Sequence, residues 1–161
     1  MDSYEAIKPA GDPQVGNLAT PLNSSDFSTS LIRNLPAYRS GLSPFRRGLE
    51  VGMAHGYLLY GPFLVLGPLR NTDSADIAAL LASVGLVAIL TLCLSLYAGA
   101  MGGKPTSTVT TPNIPEDFAT KEGWSEFASG FFIGGTGGAF FAYFLLSTAY
   151  INDIKALIPG L

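Results

Sequence analysis

Three long apolar stretches run along the chain, separated by short polar segments and preceded by a polar arm. From Met1 to Ser43 apolar positions are sparse, and Gly11, Pro13, Gly16, Pro21, Pro36 and Gly41 interrupt them, which predicts an extramembrane arm that cannot form a core alone. Within it, Asp26 or the serines before it cap a short helix predicted to run through Leu31 and Ile32 to about Leu35, where Pro36 stops it. So short a helix has to dock on something, and the arm is expected to lie along a partner protein. Pro44 suits the first turn of the next helix, because proline has no N–H to leave unsatisfied there. Its apolar part, Leu49 to Leu66, reaches about 27 Å against a bilayer core of about 30 Å, and Pro62 should bend or loosen its last third. After the polar turn LRNTDSAD, Ile77 to Ala98 is about 22 residues without charge or proline, with Asp76 placed to cap it or favour its N-terminus. Gly99 to Thr111 and the following PNIPEDFATKEGW predict an irregular, water-exposed loop, with Trp124 at headgroup level. Phe127 to Tyr150 completes the set. The pattern predicts an all-α membrane protein, with an N-terminal arm over 1–43 and a three-helix transmembrane domain over 44–161. The spans fall near 44–66, 77–98 and 125–150.

Composition agrees: of 161 residues 48% are hydrophobic and 13% charged, with a positive mean hydropathy, which is too apolar for an ordinary soluble domain. The net charge of −3 comes without a lysine-rich run, so nucleic-acid binding has no electrostatic footprint. The single Cys93 forms no internal disulfide and reads as a small buried apolar residue. Lys8, Arg33, Arg39, Arg46, Arg47, Lys104 and Lys121 fall on one side of the spans, Arg70 and Lys155 on the other. By that asymmetry the N-terminus and the long second loop face the cytoplasm and the C-terminus lies across the membrane. The opening residues resemble neither a signal peptide nor an Arg-rich transit peptide, so insertion is expected in the compartment of synthesis, or the sequence is a mature form.

The candidate chemistry sits in RRGLEVGMAHGYLLYGP, where Glu50 and the only histidine, His55, enter the first span. An ionisable group inside a span is costly and defaults to a functional reading with a partner. Five residues of helix set the two about 140° apart around the axis and about 7.5 Å apart along it, so they are poorly placed to share one ion. The imidazole could serve as a proton relay, a haem ligand, an axial ligand to another tetrapyrrole metal, or a hydrogen-bonded packing residue. Bis-histidine haem is excluded by count, and a proton path lacks acids or histidines in the second and third spans. A magnesium tetrapyrrole usually needs one axial protein ligand, which suits two ligands on two faces. The plainer reading has His55 bonding a neighbouring helix and Glu50 pairing with Arg46 one turn back. A small carrier or channel component with a proton-binding Glu50 is the alternative function. No catalytic triad or phosphate loop can be assembled, so the chain is expected not to be an enzyme. In the third span Gly130, Gly134, Gly138 and Ala142 form one small-residue face, which either packs a helix of the same chain or meets a neighbouring subunit. Gly135 and Gly137 thin the other side and leave room for a flat ligand.

The stretch NLPAYRSGLSPFRRGLEVGMAHGYLLYGPF, then LGPLR, then KEGW before the glycine-rich third span, resembles photosystem I subunit XI of the cyanobacterial type, from about Asp12 to the third span. The resemblance implies a three-helix subunit of the thylakoid membrane, with its N-terminus on the stromal (cytoplasmic) side and its C-terminus lumenal, that binds antenna chlorophyll a and beta-carotene. In the family the acid and histidine of LEVGMAHG ligate chlorophyll magnesium, and these map onto Glu50 and His55. Implied partners are other photosystem I subunits, lipids, and the same subunit of neighbouring monomers, whose contact the family mediates in trimers or tetramers. One departure concerns calcium. Trimer-forming relatives often carry a calcium-linked aspartate after GPLR, where this chain has Asn71, whose amide oxygen can coordinate the ion but brings no charge. Trimer and tetramer both stay open.

Overall fold

The computed structural model describes residues 6–100 and 103–148. The arm begins with a two-residue antiparallel pairing of β1 (Lys8–Pro9) with β2 (Leu18–Ala19) and continues into α1 (Asp26–Asn34). The β-pairing has no counterpart in the sequence reading. Ser25 caps α1 by accepting from the Ser28 N–H, and the helix leaves all its residues at least partly exposed.

α2 (Pro44–Leu66) starts on a Ser43 cap with proline in its first turn and ends at Gly67-Pro68. Pro62 sits inside it without ending it, as membrane helices tolerate. α3 (Ala75–Ala100) is apolar on all sides beyond its first turn, and its serine and threonine hydroxyls bond within the helix: Ser83 donates to the Ala79 carbonyl at 2.8 Å, Thr91 to the Val87 carbonyl at 2.8 Å and Ser95 to the Thr91 carbonyl at 3.0 Å. α4 (Lys121–Ser147) begins earlier than the apolar pattern suggests, because Thr120 caps it by accepting from the Gly123 N–H at 3.0 Å and the polar turn KEGW is already helical. The proposed end of the third span at Tyr150, and the C-terminal tail beyond, lie outside the described residues.

With 23, 26 and 27 residues, the three helices are long and apolar enough to cross a membrane. The chain is a multi-pass membrane protein, and its large side chains are distributed accordingly. Leu58, Leu81, Leu92, Leu96 and Phe144 are 62–73% exposed, facing where lipid or neighbouring protein would stand, while small residues and a few large side chains such as Tyr60, Phe127 and Phe131 fill the interior.

α2 and α4 run parallel and touch through backbone. A Cβ added at Gly48, Gly52 or Gly56 would collide with the carbonyls of Phe127, Phe131 and Gly135 in turn. From the other side, one added at Gly130, Gly134 or Gly138 would collide with those of Phe45, Leu49 and Met53. Each four-residue step along one helix matches a four-residue step along the other. In lipid, where apolar burial alone gives no advantage, such close approach supplies van der Waals contact over the whole seam. α3 closes on this pair with Val87 against Gly135, and with Ala79 and Leu80 in a cluster that holds the fully buried Tyr60 together with Ala139 and Ala142. The Tyr60 hydroxyl donates to Asp76 Oδ1 at 3.0 Å, so this carboxylate ties α3 to α2.

The loop before α4 is less exposed than its composition suggests. A 3-10 turn, Glu116–Ala119, packs Phe118 with Ile114 and Phe127, and the Trp124 indole donates to the Phe118 carbonyl at 2.9 Å. The arm meets the same end of the bundle, where the Thr110 hydroxyl donates to the Asn23 carbonyl.

Candidate functional site

Glu50 and His55 are both on α2, and α2 turns them to different sides of its seam with α4. Glu50 is half-buried and held by two arginines. Arg39 Nη2 donates to Oε2 at 2.5 Å, and Arg46 Nε, four residues back on the helix, donates to Oε1 at 3.3 Å. The Arg46 pair is the one that helical spacing suggests, whereas Arg39 comes from the arm. A third arginine, Arg47, is 4% exposed and fixes the Arg39 segment by donating through Nη1 to the carbonyls of Pro36 (3.1 Å) and Arg39 (2.5 Å). Beside Glu50 opens an apolar hollow of about 710 Å³ bounded by Pro36, Met53, Tyr57, Leu58 and Phe141.

His55 has a different environment. Its Nδ1 lies 2.7 Å from the Val51 carbonyl one turn back. A carbonyl only accepts, so Nδ1 carries a proton, and Nε2 is the ring nitrogen left for any other partner. The ring stands edge-on to Phe131 at 5.5 Å and lines a hollow of about 430 Å³ among Val51, Leu90, Leu94, Tyr97 and Phe127. That hollow shares Leu94, Tyr97 and Phe127 with a second, of about 460 Å³, which reaches up to Tyr38 and Trp124. Cys93 also lines the histidine hollow and is exposed, not buried as the sequence suggests: groove-facing and core positions in a membrane helix are equally apolar, so composition does not separate them.

The glycine face of α4 is filled by α2 of the same chain, with Gly130, Gly134 and Gly138 on its backbone and Ala142 buried beside Tyr60. Gly135 does not open the other side for a ligand, because a Cβ there would meet the Val87 side chain; only Gly137 faces open space. Asn71 lies exposed in the turn between α2 and α3, and no group of three or more His, Cys, Asp or Glu that could hold a metal occurs among the described residues. Sequence reasoning missed Arg39, Arg47 and the glycines of α2. Gly48, Gly52 and Gly56 were findable from the same four-residue spacing that marks α4.

A carboxylate and an imidazole, each beside an apolar hollow, thus stand on one of three long apolar helices, two of which meet glycine against carbonyl, an arrangement of a multi-pass membrane subunit. The model of the family photosystem I reaction centre subunit XI matches residues 6–151. The chain is 60% identical over 160 residues to photosystem I reaction center subunit XI of Synechococcus elongatus, covering 98% of this chain and 96% of that one. It is 60% identical over 154 residues to that of Crocosphaera subtropica, covering 96% and 99%, and 65% identical over 139 residues to that of a Picosynechococcus species, covering 86% and 91%. The chain belongs to the family of photosystem I reaction centre subunit XI. It is a structural subunit of a reaction centre that assembles with other photosystem I components, and not an enzyme.

Proposed function

We propose that this subunit carries antenna chlorophyll a on two sides of α2, with His55 and Glu50 as separate axial ligands to magnesium and with beta-carotene in the apolar hollows. The observation that carries the reading is the state of His55. Its Nδ1–H is committed to the Val51 carbonyl, which fixes the ring and leaves Nε2 as the nitrogen for a metal at an apolar hollow. Metal-ligating histidines usually show this arrangement, with the second nitrogen bonded to a carbonyl or carboxylate. Glu50 fits as well: two oxygens offer about four acceptor sites, and the arginines use two of them. A bound chlorophyll supplies light absorption and excitation transfer; the chain's part is to hold, orient and exclude water.

The subunit sits, in this reading, in a cyanobacterial thylakoid with the arm on the cytoplasmic side and the C-terminus lumenal. Support comes from the arginines around the start of α2 and from the arm, which packs at that end through Arg47 and Thr110. It also stands at the contact between photosystem I monomers, in keeping with the outward-facing apolar side chains of its helices. The carrier reading of Glu50 has less support, since two arginines hold the carboxylate near one end of α2.

His55→Leu in the purified photosystem tests the ligand assignment. The expected result is loss or loosening of one chlorophyll, read as density in a cryo-electron microscopy map and as a band in a low-temperature difference spectrum, while the subunit still assembles. Unchanged pigment content and spectrum would remove His55 from the ligand set.

A further inference from the structure

The two arginines on Glu50 are not equivalent. Arg46 shares the helix with Glu50, its side chain is 66% exposed and its contact is 3.3 Å, so it can follow the carboxylate through rotamers. Arg39 arrives from a different segment, its side chain is 38% exposed and its contact is 2.5 Å. That segment is fixed independently of Glu50. Arg47 Nη1 bonds the carbonyls of Pro36 and Arg39, and the Tyr38 and Arg39 N–H groups both bond the Leu35 carbonyl. Pro36, at the start of the same turn, forms part of the wall of the Glu50 hollow.

Resting on the reading of Glu50 as a magnesium ligand, we infer that Arg39 is the positioning residue for that ligand: it pins Oε2 from the arm and so aims the carboxylate's remaining lone pairs at the hollow. The arm is thereby part of one pigment site. The His55 site has no arginine in its lining and does not depend on it. Groups that orient metal ligands typically cost roughly 10–100-fold in affinity when lost. Only Nη2 of Arg39 makes the contact, so a lysine can replace it in kind.

The test uses photosystem I purified from strains carrying Arg39→Gln, Arg39→Lys and Glu50→Ala, with subunit stoichiometry, pigment occupancy at both sites and low-temperature absorption measured in each. Glu50→Ala is expected to empty its site. Arg39→Gln should weaken retention at that site by roughly tenfold or more and shift the band of what remains, with the His55 pigment and subunit stoichiometry unchanged. Arg39→Lys should restore most of the occupancy. Full occupancy and an unshifted band in Arg39→Gln, beside an empty Glu50→Ala site, would overturn the inference and leave the ligand assignment standing. Loss of the whole subunit or of both pigments in Arg39→Gln, or an Arg39→Lys variant no better than Arg39→Gln, would also overturn it. A pigment retained in Glu50→Ala would instead overturn Glu50 as the ligand.

Discussion

Arg47 is the residue whose chemistry is furthest from its place in the sequence. It reads as one more interfacial cation, yet it is buried and its guanidinium closes on main-chain carbonyls of the arm. A hydrogen bond to a charged group is worth roughly 1.5–3 kcal/mol, and removing the donor also strands acceptors in a buried site. Arg47→Met is therefore expected to loosen the turn at residues 36–39 by about 2–3 kcal/mol. Hydrogen exchange at the Tyr38 and Arg39 amides should quicken by roughly 30- to 160-fold while the amides in the middle of α3 keep their protection. Such a latch leaves no trace in a sequence, because its acceptors are backbone carbonyls that any residue supplies. Glu50 was half legible for the same reason. Its Arg46 partner follows from helical spacing, whereas Arg39 is brought in by a turn that Arg47 shapes.

At the level of elements, the spans themselves were legible, because a bilayer requires a long uninterrupted apolar helix and hydropathy reads that requirement directly. Their starts were less so: Thr120 and the turn KEGW carry α4 into polar sequence that hydropathy does not register. The glycine stripe of α4 shows that something approaches closely, but the approaching surface is written in α2, where Glu50 and His55 stand between the glycines. The match of the two stripes makes a sharp prediction. Gly134→Ala places a methyl group against the Leu49 carbonyl and should cost about 1–3 kcal/mol, as overpacking does. Gly137→Ala, with open space around it, should be neutral or gain up to about 1 kcal/mol from helix propensity. Heating purified photosystem I and following release of the subunit distinguishes them: the release midpoint should fall only for the first.

On the scale of the whole molecule, the chain has little interior. Its helices meet through glycine, alanine and a few buried large side chains such as Tyr60 and Val87, and many leucines and phenylalanines point away from the bundle. A protein built this way depends on its surroundings for cover, which agrees with its place as one component of a photosystem. The proposed role between monomers predicts that, in mild-detergent extracts from a strain lacking the gene, native gels show large green photosystem I assemblies collapsing to monomers. The size of the band in the parent strain would distinguish trimer from tetramer. Unchanged green bands would remove the oligomer role and leave pigment holding alone.

Because the seam of α2 with α4 is carbonyl against glycine, and both hollows have walls from each of these two helices, the closeness of the seam fixes how those walls stand to one another. A single methyl group added there would shift the α2 walls of both hollows relative to the α4 walls as well as strain the fold, so the glycines set the shape of the two hollows as much as they hold two helices together.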